Sequence, residues 1–349
     1  MKKILAVIAA VISLLSLTAC GGAQTEASPT ATPSSAPSPV VSSTGDRAAD
    51  YFPIAENTHY VYEGEGNEYA SYDVYVDYTA AGKIQQRVNN GGTELARILS
   101  VADDKAEQVY SREEAYYREN LLDKTSESPE VLLMAPIEKA TTWTLADGRV
   151  RTITDTEAEV TTPLGTYTAV AVTTEGETGT TINYYAAGVG LVKSIFRSGD
   201  LEVSSTLSRI EQDADWTQTV RFYFPDSTVS QVQFTDVAVA FATNDETGTV
   251  LADAYRTTAN GTTPVFSADV TVNSLYLGDD GIVYLDLSSA FVTGMNAGSG
   301  TESLILQSVT NTFCRYYSAQ EMLLTIDGKR YESGHIALQE GETLTADYA

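Results

Sequence analysis

Alternating apolar and polar positions organise the chain from residue 51 to about residue 212. The alternation is clearest over residues 71–78. There the apolar set is Tyr72, Val74, Val76 and Tyr78, and the polar set is Ser71, Asp73 and Asp77. A period of two is the spacing of a β-strand with one buried face, so we predict that the two sets lie on opposite faces of one strand.

Further runs of this kind recur roughly every ten residues, as in an antiparallel meander. They cover residues 98–101, 149–153, 157–161, 167–173, 181–185, 191–197 and 201–210. Asn90-Gly91, Asp147-Gly148 and Ser198-Gly199 supply turns that tolerate a positive φ. Helix is expected only over a short piece at 111–122. The fold class predicted for residues 50–212 is a mainly β domain built on an antiparallel sheet.

The pattern changes after the acidic stretch 211–215, and strand and helix then alternate to about residue 345. Strands are predicted over 220–224, 234–242, 270–277, 282–287 and 322–326, with a short helix over 249–255. A longer helix is predicted to begin at Ser299-Gly300-Thr301-Glu302, which has the spacing of a capping box. Its apolar stripe consists of Ile305, Val309, Thr312, Phe313 and Tyr316. This order predicts a small α+β domain over residues 217–345.

The amino-terminal residues indicate export. Lys2 and Lys3 precede an apolar run over 4–15 that is too short to span a bilayer. Leu17, Thr18, Ala19 and Cys20 follow, and this tetrapeptide resembles a bacterial lipobox. The resemblance implies a signal peptide over 1–19 and a lipidated, palmitate-type anchor on the thiol of Cys20. The alternative is an ordinary signal peptide that ends in a lone cysteine.

Lipidation at Cys20 would make membrane lipid the first partner of the chain. Two or more acyl chains hold a protein stably on a bilayer, so the expected location is the extracytoplasmic face of the cell membrane. Residues 20–49 are rich in Pro, Ser, Thr, Gly and Ala and cannot bury enough apolar surface to fold. We therefore predict a linker there, with about 3.1 Å per residue where it is polyproline-like.

The charge balance excludes one class of partner. Loss of Lys2 and Lys3 with the signal peptide reduces 21 basic residues to 19, against 47 acidic ones, which gives a formal net charge of −28. Such a surface repels phosphate backbones, so we expect no nucleic-acid partner. No regularly spaced Asp/Asn loop of the calcium-binding kind is present.

The chain offers few groups for catalysis. Its two histidines, His59 and His335, fall in different predicted domains, which disfavours a Ser-His-Asp or Cys-His site. Cys314 lies in an apolar helical pattern and is predicted to be a buried, inert thiol. Phosphate-loop, nucleotide and metal-ligand motifs do not occur. We expect no enzyme activity, cofactor or metal, and paired carboxylates of a glycosidase are the catalytic alternative that composition leaves open.

Two other features have both a structural and a ligand-binding interpretation. Asp286, Ser288 and Phe291 fit a strand end, a turn and a core position, and Asp327-Gly328 fits a turn. The 21 tyrosines include the pairs Tyr116-Tyr117, Tyr184-Tyr185 and Tyr316-Tyr317. Such rings could line a sugar or peptide groove, although one core ring and one exposed ring in each pair is the commoner arrangement.

Two resemblances to known families add to these patterns. Tyr51-Phe52-Pro53, Tyr60-Val61-Tyr62 and the segment 188–193 resemble a β-rich domain of bacterial envelope lipoproteins with unassigned function. Residues 283–291 (VYLDLSSAF), Glu302, Val309-Thr310-Asn311-Thr312 and residues 324–328 (LTIDG) resemble the GerMN domain of sporulation and spore germination lipoproteins. The second resemblance implies a sheet with two helices on one face, and its short, Thr/Gly-rich first helix region at 244–261 departs from the family pattern.

These observations lead to one leading hypothesis for function. We expect a non-enzymatic, membrane-anchored envelope lipoprotein that acts as a docking or assembly factor for another envelope protein or for a second copy of itself. The resemblance to GerMN domains places this role in sporulation or spore germination. The alternative is a lipoprotein that binds a cell-wall glycan or peptide in a domain cleft or on its Tyr-rich sheet.

Overall fold

The structure, a computed structural model, describes residues 45–258 and 264–348. The predicted lipobox, including Cys20, and most of the predicted linker lie outside the described residues. Within those two ranges, no helix has both the length and the apolar character needed to cross a bilayer.

A short 3₁₀ turn, Ala48–Tyr51, precedes a single antiparallel sheet of twelve strands. The strands are β1 (Thr58–Glu65), β2 (Tyr72–Ala80), β3 (Lys83–Asn89), β4 (Glu94–Val101), β5 (Lys105–Arg112), β6 (Glu130–Met134), β7 (Thr142–Thr144), β8 (Val150–Thr162), β9 (Gly165–Gly176), β10 (Gly179–Ala186), β11 (Gly190–Ser198) and β12 (Leu201–Gln212). They confirm the predicted meander. The two runs predicted at 149–153 and 157–161 are parts of the one long strand β8, which contains bulges.

The strand order forces the sheet to curl. Strands β1 to β6 form one meander and β7 to β12 another, joined where β1 pairs with β12, so β6 and β7 lie at opposite ends of the order. A seven-residue connection, 135–141, nevertheless links them, and it can span only about 25 Å. The two ends of the sheet therefore face each other, and Trp143 of β7 donates its indole N–H to the carbonyl of Val131 at 3.0 Å.

The concave side of the curled sheet carries two apolar cores. One joins β4, β5 and β6 to β7, β8, β9 and β10 through Leu99, Leu133, Ile153 and Val172. The other joins β1 and β2 to β8, β9, β11 and β12 through Tyr62, Val74 and Leu207. Burial of these side chains is what holds the sheet in its curled form, at roughly 1.5–3 kcal/mol for each large side chain fully removed from water.

A β-bulge in β2 corrects one prediction. Asp77 is an extra residue between Val76 and Tyr78 in the ladder with β3, and such an insertion changes the face on which later side chains lie. Tyr72 lines the concave side, whereas Tyr78 packs in a separate cluster with residues of β4. The predicted placement of Tyr78 beside Tyr72 is therefore wrong, and so is the exposed position of Asp77, which is buried in an ion pair with Arg87.

The short helix predicted over 111–122 is also wrong. Strand β5 continues to Arg112, and residues 113–129 follow an irregular path without helix. Ala115, Arg118 and Leu121 are buried along that path. Their spacing of three resembles a helical stripe, but tertiary contacts such as the hydrogen bonds of Arg118 to Asp77 and Ala242 fix an irregular course instead.

The remaining strands and helices form a small α+β unit. They are β13 (Trp216–Pro225), β14 (Val232–Phe241), α1 (Thr247–Thr258), β15 (Val272–Leu277), β16 (Ile282–Leu287), α2 (Ala290–Thr293), α3 (Ser299–Tyr317), β17 (Glu321–Ile326), β18 (Lys329–Arg330) and β19 (Leu344–Thr345). Strands β13 and β14 form a hairpin. Strands β15 to β18 follow in order in a second sheet, with β16 parallel to β17 and with β19 also paired to β17. The predicted fold class, a mainly β part followed by an α+β part, is confirmed.

Helix α3 is the centre of this unit. All five residues of its predicted stripe are buried, together with Leu306, Cys314 and Tyr317. The capping box is not formed, because the helix begins one residue early, with Gly298 at the N-cap and no side-chain cap. Glu302 consequently lies at the end of the first turn, one position beyond that of a capping box. It is buried and accepts hydrogen bonds from Tyr331 at 2.8 Å and Ser333 at 2.5 Å.

Candidate functional site

A cavity of about 310 Å³ opens on the concave side of the curled sheet. This volume is at the lower end of the range for small-molecule sites, roughly 300–1,000 Å³. Its walls combine aromatic rings, aliphatic side chains and a set of polar groups. They include Phe52, Tyr60, Tyr62, Tyr72, Tyr185, Val74, Ile84, Leu99, Leu132, Leu191, Gln86, Gln108, Asn183, Ser194, Ser205, Arg97, Glu130 and Arg151.

Arg97 is the cation that this arrangement leaves available. It lies on β4, opposite Gln86 of β3, and its Nε donates to the Gln86 side-chain oxygen at 2.9 Å. Among the described residues, its two terminal nitrogens have no hydrogen-bond or ion-pair partner. The side chain is half-buried, so these donors are held at the cavity rather than dispersed in solvent.

Arg151, the other arginine in the wall, is fully engaged. Its guanidinium forms an ion pair with Glu130, donates to the carbonyl of Val131, and donates from Nε to Thr174 at 3.0 Å. The charge of Arg151 is thus balanced by Glu130. The cavity therefore carries a net positive group at Arg97, in a protein whose overall charge is strongly negative.

Tyrosine rings surround Arg97. Tyr62 and Tyr72 stack with ring centroids 4.4 Å apart, and the Tyr62 hydroxyl donates to the carbonyl of Leu191 at 2.8 Å. Burial raises the pKa of Tyr62, Tyr72 and Tyr185, and the positive charge of Arg97 opposes that shift in each case. The three side chains are consequently neutral phenols over the physiological range, and neutral phenols can donate hydrogen bonds.

A second cluster fixes the large sheet to the α+β unit. Arg118, in the irregular segment after β5, donates to the carbonyls of Asp77 and Ala242 at 2.8 Å each, to the carbonyl of Asp245, and to the Tyr78 hydroxyl at 3.0 Å. Its guanidinium also lies 4.2 Å from the centre of the Tyr78 ring. One buried side chain thereby joins oxygen atoms from β2 to oxygen atoms just beyond β14.

Further contacts reinforce this junction. Asn57 and Thr243 exchange hydrogen bonds at 2.7 Å, each using its backbone N–H and side-chain oxygen. The Tyr316 hydroxyl of α3 accepts from the backbone N–H of Arg118 at 3.0 Å. Arg87, which is ion-paired to Asp77, lies 4.0 Å above the ring of Trp216 at the start of β13. The junction is therefore a packed polar interface in which both buried arginines, Arg87 and Arg118, bind oxygen atoms and lie over aromatic rings.

The residues that the sequence offered as candidates for catalysis or metal binding lie in separate parts of the structure. His59 is buried, with Nδ1 2.7 Å from Glu211 and Nε2 3.0 Å from Asp73, whereas His335 is exposed in the loop after β18. Over the described ranges, no cluster of three or more His, Cys, Asp or Glu side chains is arranged to hold a metal ion. Cys314 is buried, as predicted, and burial raises the pKa of its thiol to about 12.

Asp286 lies near the end of β16, as predicted, and has a structural role there. Its carboxylate accepts from Thr325 at 2.6 Å, from the N–H of Gly328 at 2.8 Å and from Asn273 at 2.9 Å. Burial alone would raise the pKa of Asp286, but these hydrogen bonds outweigh burial and lower it. The carboxylate thus ties β16 to the turn after β17, and Phe291 enters the core as expected.

The tyrosine pairs follow the predicted arrangement only in part. Tyr116 is exposed and Tyr185 is buried. Tyr316 and Tyr317 are both buried because they lie on α3, which is packed on nearly all sides. The sequence analysis did not single out Arg97. A usable sign was present, because Leu95, Arg97 and Leu99 are spaced by two and such residues lie on the same face of a strand.

Comparison with known proteins identifies the α+β unit. Residues 221–332 match the Germane family model, which is described as sporulation and spore germination. This confirms the resemblance to GerMN domains, and the carboxyl-terminal part of the chain is a Germane domain. No curated protein matches the chain.

Several solved structures are similar to parts of the chain. The tandem GerMN domains of the sporulation protein GerM from Bacillus subtilis are 23% identical, with 37% of this chain and 46% of that chain covered and a TM-score of 0.27. The first GerMN domain alone gives 23% identity, 35% and 95% coverage and a TM-score of 0.28. A Parabacteroides distasonis protein, provisionally described as a lipoprotein, gives 15% identity, 46% and 98% coverage and a TM-score of 0.30. The chain thus spans slightly less than half of the tandem GerMN structure.

Proposed function

We propose that this protein is a non-catalytic envelope lipoprotein that is anchored through Cys20 on the extracytoplasmic face of the membrane. In this role its Germane domain docks onto another envelope protein during sporulation or spore germination. The lipobox-like sequence 17–20 and the export pattern before it support the location. The family match over 221–332 supports the process.

The observation that carries the docking proposal is the open edge of β15. Within the described residues, β15 forms a backbone ladder with β16 on one side and with no strand on the other. Its sequence, Val-Asn-Ser-Leu-Tyr-Leu, contains no charged residue and no proline. Edge strands that must stay unpaired usually carry charged residues or proline, so the absence of both from β15 favours pairing with a strand of a partner.

Tyr276 gives this edge an apolar contact group. Its side chain is 46% exposed and stacks on Tyr284 of β16, with centroids 5.0 Å apart and planes 4° from parallel. Aromatic side chains held in place by a neighbour lose little conformational entropy when they bind, which suits an anchor at an interface.

The junction built around Arg118 supports the same role. A docking domain on a tethered body works best when its orientation is fixed, because less rotational freedom is then lost on association. The hydrogen bonds of Arg118 and the Asn57–Thr243 pair provide that fixation.

The test is photo-crosslinking in living cells from a photoreactive phenylalanine analogue placed at Tyr276. The matched control carries the analogue at Tyr69, which is similarly exposed at 52% but lies in the β1–β2 connection. We expect a discrete crosslinked protein from position 276 that position 69 does not give, and Tyr276→Lys should reduce its recovery. Equal products from both positions, or none from 276 during sporulation, germination and growth, would remove the basis of the proposal.

A second candidate function rests on the cavity in the curled sheet. The two terminal nitrogens of Arg97, which have no partner among the described residues, and the tyrosines of the cavity wall favour binding of a small ligand, in line with the glycan or peptide alternative. This function is compatible with docking, since the cavity lies in the large sheet and β15 lies in the Germane domain.

A further inference from the structure

The cavity in the curled sheet has a chemistry that distinguishes between its potential ligands. Resting on the ligand-binding candidate above, we propose that it binds a short peptide end whose free carboxylate pairs with Arg97. The charge, the polar groups and the apolar wall of the cavity distinguish between peptides, glycans and fatty acids.

Charge is the first discriminator. The terminal nitrogens of Arg97 have no partner among the described residues, while Arg151 is balanced by Glu130. A guanidinium presents paired N–H donors that match the two oxygens of a carboxylate. A neutral glycan offers only hydroxyl groups to this cation, so it leaves the strongest interaction of the site unused.

The polar side chains are the second discriminator. Gln86, Gln108, Asn183, Ser194 and Ser205 lie in the same wall as Arg97. Ser194 and Ser205 already donate, at 2.7 Å each, to Asn183 and to a backbone carbonyl. The side-chain N–H groups of Gln86 and the amide of Gln108 have no partner among the described residues and are available to peptide C=O and N–H groups. Burial of these two amides against a hydrocarbon chain would leave them unsatisfied, at roughly 1–3 kcal/mol each. A fatty acid would satisfy Arg97 but not these two amides.

The apolar wall provides room for one side chain of the peptide. Leu99 and Leu132 belong to the core region between the facing ends of the sheet, and Val74 and Leu191 close the other side. The stacked rings of Tyr62 and Tyr72 lie nearby, and Tyr72 has a hydroxyl for which no partner exists among the described residues. A terminal residue with an aliphatic side chain therefore fits both the size and the composition of the cavity.

Isothermal titration calorimetry on the Cys20→Ser protein tests the proposal. The probe is the N-acetylated tripeptide alanyl-alanyl-leucine with a free carboxylate, and its comparison probe is the same tripeptide with a carboxyl-terminal amide. We expect the acid to bind at least about tenfold more tightly than the amide, which is the usual scale for loss of a charge-assisted pair. Arg97→Gln should abolish this preference, and Tyr72→Phe should weaken binding of the acid while keeping the ring stack.

Arg209→Gln is the matched control, because it removes one exposed positive charge from β12 of the same sheet. It should leave the preference unchanged, and circular dichroism should show that every variant is folded. Equal binding of acid and amide, or an Arg97→Gln variant that still prefers the acid, would refute the proposal. Tighter binding of laurate or of an N-acetylglucosamine oligomer than of the tripeptide would replace the peptide with that ligand. None of these results depends on β15, so the docking proposal stands or falls separately.

Discussion

Single arginines decide much of this structure. Arg87, Arg97, Arg118 and Arg151 all come from the first half of the chain, and Arg87 and Arg118 are among its largest fully buried side chains. A buried guanidinium is costly unless most of its donors are satisfied. Both terminal nitrogens of Arg87, Arg118 and Arg151 donate to oxygen atoms of the protein, although the Nε of Arg118 is buried without a hydrogen-bond partner among the described residues. The terminal nitrogens of Arg97 have no partner there. That difference separates the structural arginines from the candidate ligand-binding one.

Replacement of Arg118 by methionine should destabilise the protein by about 3 kcal/mol. Methionine keeps the aliphatic volume but leaves the carbonyls of Asp77, Ala242 and Asp245 without their buried donor, and unsatisfied groups of this kind usually cost about 1–3 kcal/mol each. Thermal unfolding followed by circular dichroism should show a midpoint several degrees below wild type. Arg209→Met, at an exposed position of β12, is the control. Equal midpoints for the two variants would mean that Arg118 does not hold the junction.

Among the strands and helices, turns with a polar side chain define where strands end. The connection between β13 and β14 is held by Asp226, whose carboxylate accepts from Thr228 at 2.7 Å and from the backbone N–H of Ser230 at 2.7 Å. These two interactions, in that order, are the main causes that lower the pKa of Asp226 from 3.8 to about 2.

This shift predicts a pH window for stability. The folded protein holds Asp226 ionised at lower pH than the unfolded chain does. The stabilisation of the fold by ionised Asp226 is therefore fully present above about pH 4 and is lost as pH falls from 3.8 towards 2. Asp226→Asn should therefore melt below wild type at neutral pH, and the two melting curves should converge within that window. Asp279→Asn, in the β15–β16 turn, serves as the control. If the melting temperatures of Asp226→Asn and wild type differ as much at pH 2 as at neutral pH, ionised Asp226 is not the source of this pH dependence.

For the whole molecule, location is the property that most needs a test. Cys20→Ser removes the thiol that lipidation requires, so the protein should move from the membrane fraction to the soluble extracytoplasmic fraction. Fractionation with immunoblotting is the measurement, and Cys314→Ser is a matched control because that thiol is buried and should not affect location. Full membrane retention of the Cys20→Ser protein would contradict the anchor.

The separation of the two proposed activities is also a property of the whole molecule. The cavity lies within the large sheet, and the free edge of β15 lies in the Germane domain. The cluster around Arg118 joins the two parts. A ligand in the cavity and a partner strand on β15 can therefore be tested one at a time, by the Arg97 and Tyr276 variants.

From the sequence alone came the prediction of export, seven of the twelve strands of the large sheet (β2, β4 and β8 to β12), and the positions of α1 and α3. Strands β1, β3, β5, β6 and β7 were not among the predicted runs. The predicted features depend on local information: a period of two or 3.6, turn residues, and apolar stripes such as Ile305, Val309 and Phe313. The Germane resemblance was also carried by contiguous phrases, including residues 283–291 and 324–328, and the family match over 221–332 confirms it.

Which faces of the strands meet depends on long-range contacts that no local pattern in the sequence reveals. A single inserted residue, Asp77, reversed the face of Tyr78, and contacts with β2 and the segment beyond β14 held residues 113–129 out of a helix. The start of α3 moved by one residue and turned Glu302 from a cap into a buried acceptor. Arg97 became a candidate site because the curling of the sheet, a long-range event set by apolar burial, placed it among tyrosines that are distant in sequence.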